Sequence, residues 1–104
     1  MLKEIEKTLS NLPSIYRNNT YYLFGSSVTG EFYNDIDLLI VYDEKDLKYL
    51  FALKEYVSRF ILKKFHKKAD ITIMNCREFT KTGFEHNDKF YKLTLNKQVE
   101  TERL

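Results

Sequence analysis

Cysteine, proline and glycine are scarce in this chain: one, one and three of them in 104 residues, with no tryptophan at all. A single cysteine, Cys76, excludes an intrachain disulfide and any cysteine-cluster metal site. It also suits a reducing, cytoplasmic setting. With Pro13 alone, and glycine only at 25, 30 and 83, little of the chain has linker composition. Long apolar runs are missing too: Leu38 to Val41 falls far short of the ~20 residues that span a bilayer. The first residues, Met-Leu-Lys-Glu-Ile-Glu-Lys, carry acids and lack the apolar stretch of an ordinary signal peptide. Nor is there a strong charge imbalance. A net charge of +2 on 31% charged residues is too mild to name nucleic acid as a partner by itself. These absences predict a soluble cytoplasmic protein with no membrane partner.

What is present suffices for one core: 43% hydrophobic and 15% aromatic residues. Leu2, Ile5, Leu9 and Leu12 recur at helical spacing and Pro13 closes the pattern, which predicts a helix over residues 2–12. Thr20 to Phe24 reads as a short buried strand stopping at Gly25-Ser26. Ser26 to Thr29 then reads as a helical turn. Asp35 to Tyr42 is the clearest strand; its apolar residues face both ways, as in the middle of a covered sheet. Asp43 is the expected N-cap of a long helix from Glu44 to about Lys64. Its stripe would comprise Leu47, Leu50, Phe51, Val57, Phe60, Ile61 and Phe65, with Lys48, Glu55, Arg59 and Lys63 opposite. Ala69 to Met74 gives a third strand, Arg77 to Thr82 a short helix, and Lys89 to Leu95 a strand or helix. The order predicts an α/β (α+β) fold. The short link between the first two strands allows antiparallel pairing, hence a small mixed sheet flanked by helices.

Three features carry chemistry. Gly25-Ser26 follows a strand directly, Asp35 and Asp37 open the next strand, and Asp70 opens a third. Spacing i, i+2 puts Asp35 and Asp37 on one strand face. Two carboxylates so close repel and raise each other's pKa unless a cation intervenes. Hard oxygen donors of this kind suit Mg²⁺ or Mn²⁺. A third carboxylate from a neighbouring strand makes room for two ions about 4 Å apart, the arrangement for in-line displacement at phosphorus. Gly25 lets backbone N–H groups approach phosphate oxygens, and Ser26 adds a hydroxyl. A phosphate cradle facing an acidic cluster implies a nucleoside triphosphate.

Leu23-Phe24-Gly25-Ser26 followed by Asp35-Ile36-Asp37-Leu38 resembles the hydrophobic-Gly-Ser…Asp-hydrophobic-Asp-hydrophobic signature of the DNA polymerase β-like nucleotidyltransferase superfamily. In its short length the chain is most similar to the minimal nucleotidyltransferases, including antitoxin partners of HEPN-type RNases. The matching region runs from Tyr21 to Met74. The resemblance implies the nucleotidyltransferase fold, with residues 1–104 as one minimal domain. It implies metal binding by Asp35, Asp37 and Asp70, with Asp70 also assisting deprotonation of the acceptor. Gly25, Ser26 and Ser27 would bind the nucleotide, with ATP the expected NTP. The implied reaction transfers a nucleoside monophosphate, AMP from ATP, to a hydroxyl and releases pyrophosphate. The implied acceptor is a protein partner such as a HEPN-type toxin, or an RNA end. The spacer Ser27 to Asn34 is eight residues, slightly shorter than is usual in the superfamily. Ser27, Val28 and Thr29 stand where the superfamily often has Arg or Lys. Both departures keep open a second reading, a catalytically weak module of this fold that works by covering a partner protein.

Other residues read as structural. His66 and His86 lack partners at ligand spacing, and Cys76 is expected to fill space near the sheet. Lys63, Lys64, Lys67 and Lys68 cluster at the end of the long helix, where cations compensate its dipole; phosphate contact, and RNA binding through it, is the alternative. Eight tyrosines are too many to bury in so small a domain, which puts some at an interface. Tyr33, just before the acidic pair, is a candidate for stacking on a base.

Overall fold

Ile5 and Leu9 are fully buried on one face of the first helix, α1 (Leu2–Leu9). A computed structural model of the chain describes residues 2–25, 35–43 and 46–95. The helix stops before the expected residue 12 because the chain tightens. The amides of Asn11 and Leu12 reach back three residues, to Thr8 O and Leu9 O, both at 3.1 Å. Leu12 is nevertheless buried, so the apolar period outlasts the helix. Pro13 caps a further single turn, α2 (Ser14–Arg17), too short to leave a period in the sequence.

The sheet contains β1 (Thr20–Leu23), β2 (Asp35–Tyr42), β3 (Lys68–Asn75) and β4 (Tyr91–Lys92), in the spatial order β3-β2-β1-β4. β1 pairs antiparallel with β2 and β4, and β2 pairs parallel with β3. The sheet is thus mixed, with the two-faced apolar strand β2 inside it. The ambiguous C-terminal stretch becomes a two-residue strand, prolonged where Leu93 N–H donates to Tyr21 O at 2.8 Å. Thr94 N–H donates to Glu6 Oε2 at 2.7 Å, which ties this stretch to α1.

The crossover between β2 and β3 is α3 (Leu47–Phe65). Its N-cap is Asp46, whose carboxylate accepts from Tyr49 N–H at 2.7 Å, and not the expected Asp43. The expected start at Glu44 lies outside the described residues. His66 ends the helix in the left-handed region, φ 56°, its N–H donating to Leu62 O at 2.8 Å. Leu53, Val57 and Ile61 are the fully buried positions, at spacing i, i+4, i+8. Leu47 and Phe51, assigned to the buried stripe, are both 71% exposed. At 3.6 residues per turn they lie roughly a quarter to a third of a turn from the face that meets the sheet. The opposite side is as expected, exposed and charged, with an i, i+4 pair between Glu55 and Arg59 at 2.8 Å.

α1 and α3 cover one sheet face, closing a core that includes Ile5, Leu23, Ile36, Leu38, Ile40 and Ile61. Tyr49 joins α3 to α2, its hydroxyl donating to Ile15 O at 2.6 Å and accepting from Asn19 Nδ2 at 2.9 Å. The other face carries a smaller cluster of Tyr22, Leu39, Val41 and Phe79. Phe79 comes from α4 (Cys76–Thr82), which begins in a capping box of Asn75 and Glu78 and ends at Gly83, φ 73°. No helix among the described residues is long and apolar enough to cross a membrane.

The rotated face of α3 is testable. Leu53→Ala is expected to cost about 2–5 kcal/mol in a urea unfolding titration. Leu47→Ala is expected to stay within about 0.5 kcal/mol. Equal losses would contradict the assignment of faces.

Candidate active site

Side-chain alternation divides each strand between the two faces. Ile36, Leu38 and Ile40 of β2, and Ala69 and Ile71 of β3, belong to the helix-covered core. Asp35, Asp37, Lys68 and Asp70 therefore point to the opposite face, where Leu39, Val41 and Met74 pack with Tyr22 and Phe79. The parallel register places Asp37 beside Asp70 and Asp35 beside Lys68. Neighbouring strands lie about 4.8 Å apart, so the three expected carboxylates converge on one end of one face.

Electrostatics reports the same convergence. The carboxyl of Asp37 is held above the ordinary aspartate range, first by partial burial and then by the charges of Asp70 and Asp35. Asp37 thus carries an unfavourable ionised state that a cation would relieve. The donors suit a hard divalent ion, all of them carboxylate oxygens. Among the described residues no group of three or more His, Cys, Asp or Glu side chains forms a ready-made metal cage. Mg²⁺ fits such an open arrangement, since it is held by one or two carboxylates and completes its shell with water and substrate phosphates.

Gly25 sits against this cluster. Its φ is +64°, and a Cβ added there would lie 2.5 Å from Asp37 Oδ2. The neighbouring Phe24 N–H donates to Asp37 O at 3.1 Å, carrying the β1–β2 ladder up to the turn. Glycine is therefore required twice, for the left-handed backbone and for the space the carboxylate occupies. Ser26, Ser27 and Tyr33 lie outside the described residues, as do the expected turn at Ser26 to Thr29 and the spacer to Asn34.

Two features of this face were not anticipated. Lys68, read from the sequence as part of the cluster at the end of the long helix, instead opens β3 in the same patch as the aspartates, two residues before Asp70; the alternating Lys-Ala-Asp is the signal that would have placed it there. Next to the Gly25 turn, Phe24 stacks on Phe90 with ring centroids 5.0 Å apart, and Phe90 stacks on Phe84 at 4.3 Å. Phe24 is far in sequence from Phe84 and Phe90, and no local pattern joins it to them. Cys76, expected to fill space near the sheet, is exposed; its thiol donates to Tyr42 O at 3.4 Å. His66 and His86 are exposed, as surface histidines with no ligand role would be.

Two consequences can be measured on the protein without ligand. Gly25→Ala is expected to destabilise it by about 1–3 kcal/mol in urea titration, from the left-handed backbone and the clash with Asp37. For Asp37 the raised folded-state pKa means ionisation opposes folding. That cost is absent below the unfolded pKa of ~4 and grows as pH rises through the raised folded value. Asp37→Asn should therefore raise the melting temperature at neutral pH in EDTA, with the gap narrowing in acid. A lower melting temperature for Asp37→Asn would contradict the repulsion.

The family model described as "Polymerase beta, Nucleotidyltransferase" matches residues 3–93. Neither the curated proteins nor the solved structures contain a match to the chain. The family match spans the Gly25 turn, the acidic pair at the head of β2 and the third acid on β3. This chain belongs to the polymerase β nucleotidyltransferase family.

Proposed function

We propose that the chain is an Mg²⁺- or Mn²⁺-dependent enzyme that transfers a nucleoside monophosphate from an NTP, with ATP the expected donor, to a hydroxyl group. The observation that carries this reading is the register of Asp37 beside Asp70 with Gly25 pressed on the Asp37 carboxylate. Asp35, Asp37 and Asp70 would hold the cation, which supplies charge neutralisation and Lewis-acid polarisation at phosphate oxygens. The Gly25 turn, with Ser26 and Ser27, receives the phosphates. Asp70 accepts the proton of the acceptor hydroxyl. The acceptor oxygen then bonds to the α-phosphorus, the bond to the β-phosphate oxygen breaks, and pyrophosphate leaves. The acceptor would be a protein partner, such as a HEPN-type toxin in a cytoplasmic toxin–antitoxin pair, or an RNA end.

A second reading has its own support. Leu47 and Phe51 rim a groove of about 320 Å³ together with Tyr42, Leu50, Lys54 and Ile73, an apolar surface suited to a partner. On this reading the fold neutralises its partner by covering it, and Asp35→Asn and Asp37→Asn leave neutralisation unchanged.

The enzyme reading is tested by transfer of label from α-labelled ATP in Mg²⁺. Asp70→Asn should lower transfer at least ~100-fold, the loss expected for a missing general base, with the melting temperature within a few degrees of wild type. Undiminished transfer by Asp70→Asn would overturn the assignment.

A further inference from the structure

In the order β3-β2-β1-β4, β3 is an outer strand with β2 as its one neighbour among the described residues. Its free edge leaves a row of N–H and C=O groups facing outward along Lys68–Asn75. Soluble proteins blunt such edges with proline, a bulge or charge along the strand. The middle of β3, Ile71-Thr72-Ile73-Met74, holds neither proline nor charge, and its register with β2 runs without a bulge. The helix beside this edge is apolar on the same side. One flank of α3 meets α2, where the rings of Tyr49 and Tyr56 lie 5.8 and 5.1 Å from that of Tyr16. Because α2 leads directly into β1, that flank faces the β1 side of the sheet. Leu53, Val57 and Ile61 point down onto the sheet. At about 100° per residue, Leu47, Phe51 and Leu62 fall on the remaining flank, on the side of the β3 edge. They are 71, 71 and 55% exposed. An apolar helix strip and an unpaired strand edge thus lie side by side, each incomplete for a different reason.

The strip is complementary to its own reversal. Laid antiparallel on a second α3 about a two-fold axis between Lys54 and Glu55, Leu47 meets Leu62 of the second copy. Phe51 meets Ser58, a small residue that leaves room for the ring. At the axis each Lys54 meets a Glu55, so the charges alternate in sign. Ile73 lines the same groove as Lys54, so an axis through the middle of α3 also passes the middle of β3. Centred on Thr72, β3 pairs antiparallel with itself, Ile71 opposite Ile73 on the helix-covered face and Asp70 opposite Met74 on the other. The two Asp70 residues then stay about 13 Å apart along the strands. A crossover helix that rides between the strands it joins lies half a strand spacing inside the edge. Two such helices across the junction are about 10 Å apart, an ordinary packing distance. We propose that the chain forms a homodimer through the β3 edge and the Leu47, Phe51 and Leu62 flank of α3, which joins the two sheets into one. The groove rimmed by Leu47 and Phe51 is thereby filled by a second copy of the chain. The carboxylates of both copies open on the same face, with Met74 of the second copy beside each Asp70.

Light scattering on the full chain during size exclusion should give twice the 12.5 kDa of one chain. Phe51→Lys, at an exposed position, should weaken self-association at least about tenfold with the circular dichroism unchanged. Lys54→Glu and Glu55→Lys should each weaken it too. Mixing those two variants should restore a dimer of one of each, because opposite charges then meet at the axis. The register is read by a cross-link. In a Cys76→Ser background, Thr72→Cys places two thiols at the axis, at the Cα separation of about 4.5–5.5 Å that a disulfide spans. Diamide should convert most of that protein to a disulfide-linked dimer. Lys89→Cys, exposed near the opposite edge of the sheet, should give none. Wild type that stays monomeric up to about 0.5 mM overturns the inference and leaves the face to a different protein. A dimer that survives Phe51→Lys, or that gives no cross-link at Thr72→Cys, overturns it as well, since the copies then meet elsewhere. Should Phe51→Lys fail to fold, the mixing experiment and the cross-link decide the same question. None of these readouts uses a nucleotide, so their outcome is independent of the nucleotidyltransferase reading.

Discussion

The pairing of β2 with β3 in parallel, residue for residue from Asp35 opposite Lys68 to Tyr42 opposite Asn75, is the constraint on which the structure depends. A parallel pair needs a crossover of a dozen residues or more. The long helix α3 meets that need and, in crossing, covers one face of both strands. Alternation then decides everything on the other face. With Ile36 and Ala69 buried under α1 and α3, Asp37 and Asp70 must emerge together on the opposite side, which α4 covers only in part. A slip of one residue in β3 would turn Asp70 into the core and expose Ala69 and Ile71. The apolar residues that hold the register therefore hold the acids in place as well.

The site combines rigid and permissive parts. Asp37 is carried on a strand flanked by β1 and β3, whose residues Leu38, Leu39 and Ile40 are essentially inaccessible to solvent. That packing fixes its backbone beside Asp70, and the nearby negative charges disfavour its ionised form. Gly25 completes the arrangement from the other strand, leaving a gap of one missing side chain where the carboxylate lies. Behind the turn, the rings of Phe24, Phe90 and Phe84 stack on one another and link β1 to the C-terminal part of the fold.

Much of this was legible in the amino-acid order, because it is encoded at short range. The two-faced strand from Asp35 to Tyr42 and the acidic i, i+2 pair are local patterns, and both survive intact. So does Gly25 after a strand, although the serines beside it lie outside the described residues. What was misread depends on what lies across space. The cap of α3 is Asp46 and not Asp43, since both acids suit that role and only the true start of the helix separates them. Leu47 and Phe51 fit an apolar period, yet the sheet meets the helix about a quarter-turn or more away, on Leu53, Val57 and Ile61. The single turn α2 and the two-residue strand β4 are shorter than any period. They exist because Tyr49, Asn19 and the edge of β1 offer hydrogen-bond partners.

The two faces of the sheet also differ in what changes they tolerate. The covered face holds the large core, so substitutions there strike at folding. The carboxylates sit on the other face, half-buried or exposed, and their loss relieves repulsion without opening a cavity. Chemistry and architecture are therefore separable in this molecule. A descendant that lost its acids would keep its shape, together with every surface that a partner had come to recognise. A scaffold with its three acids and one without them thus lie only a few substitutions apart.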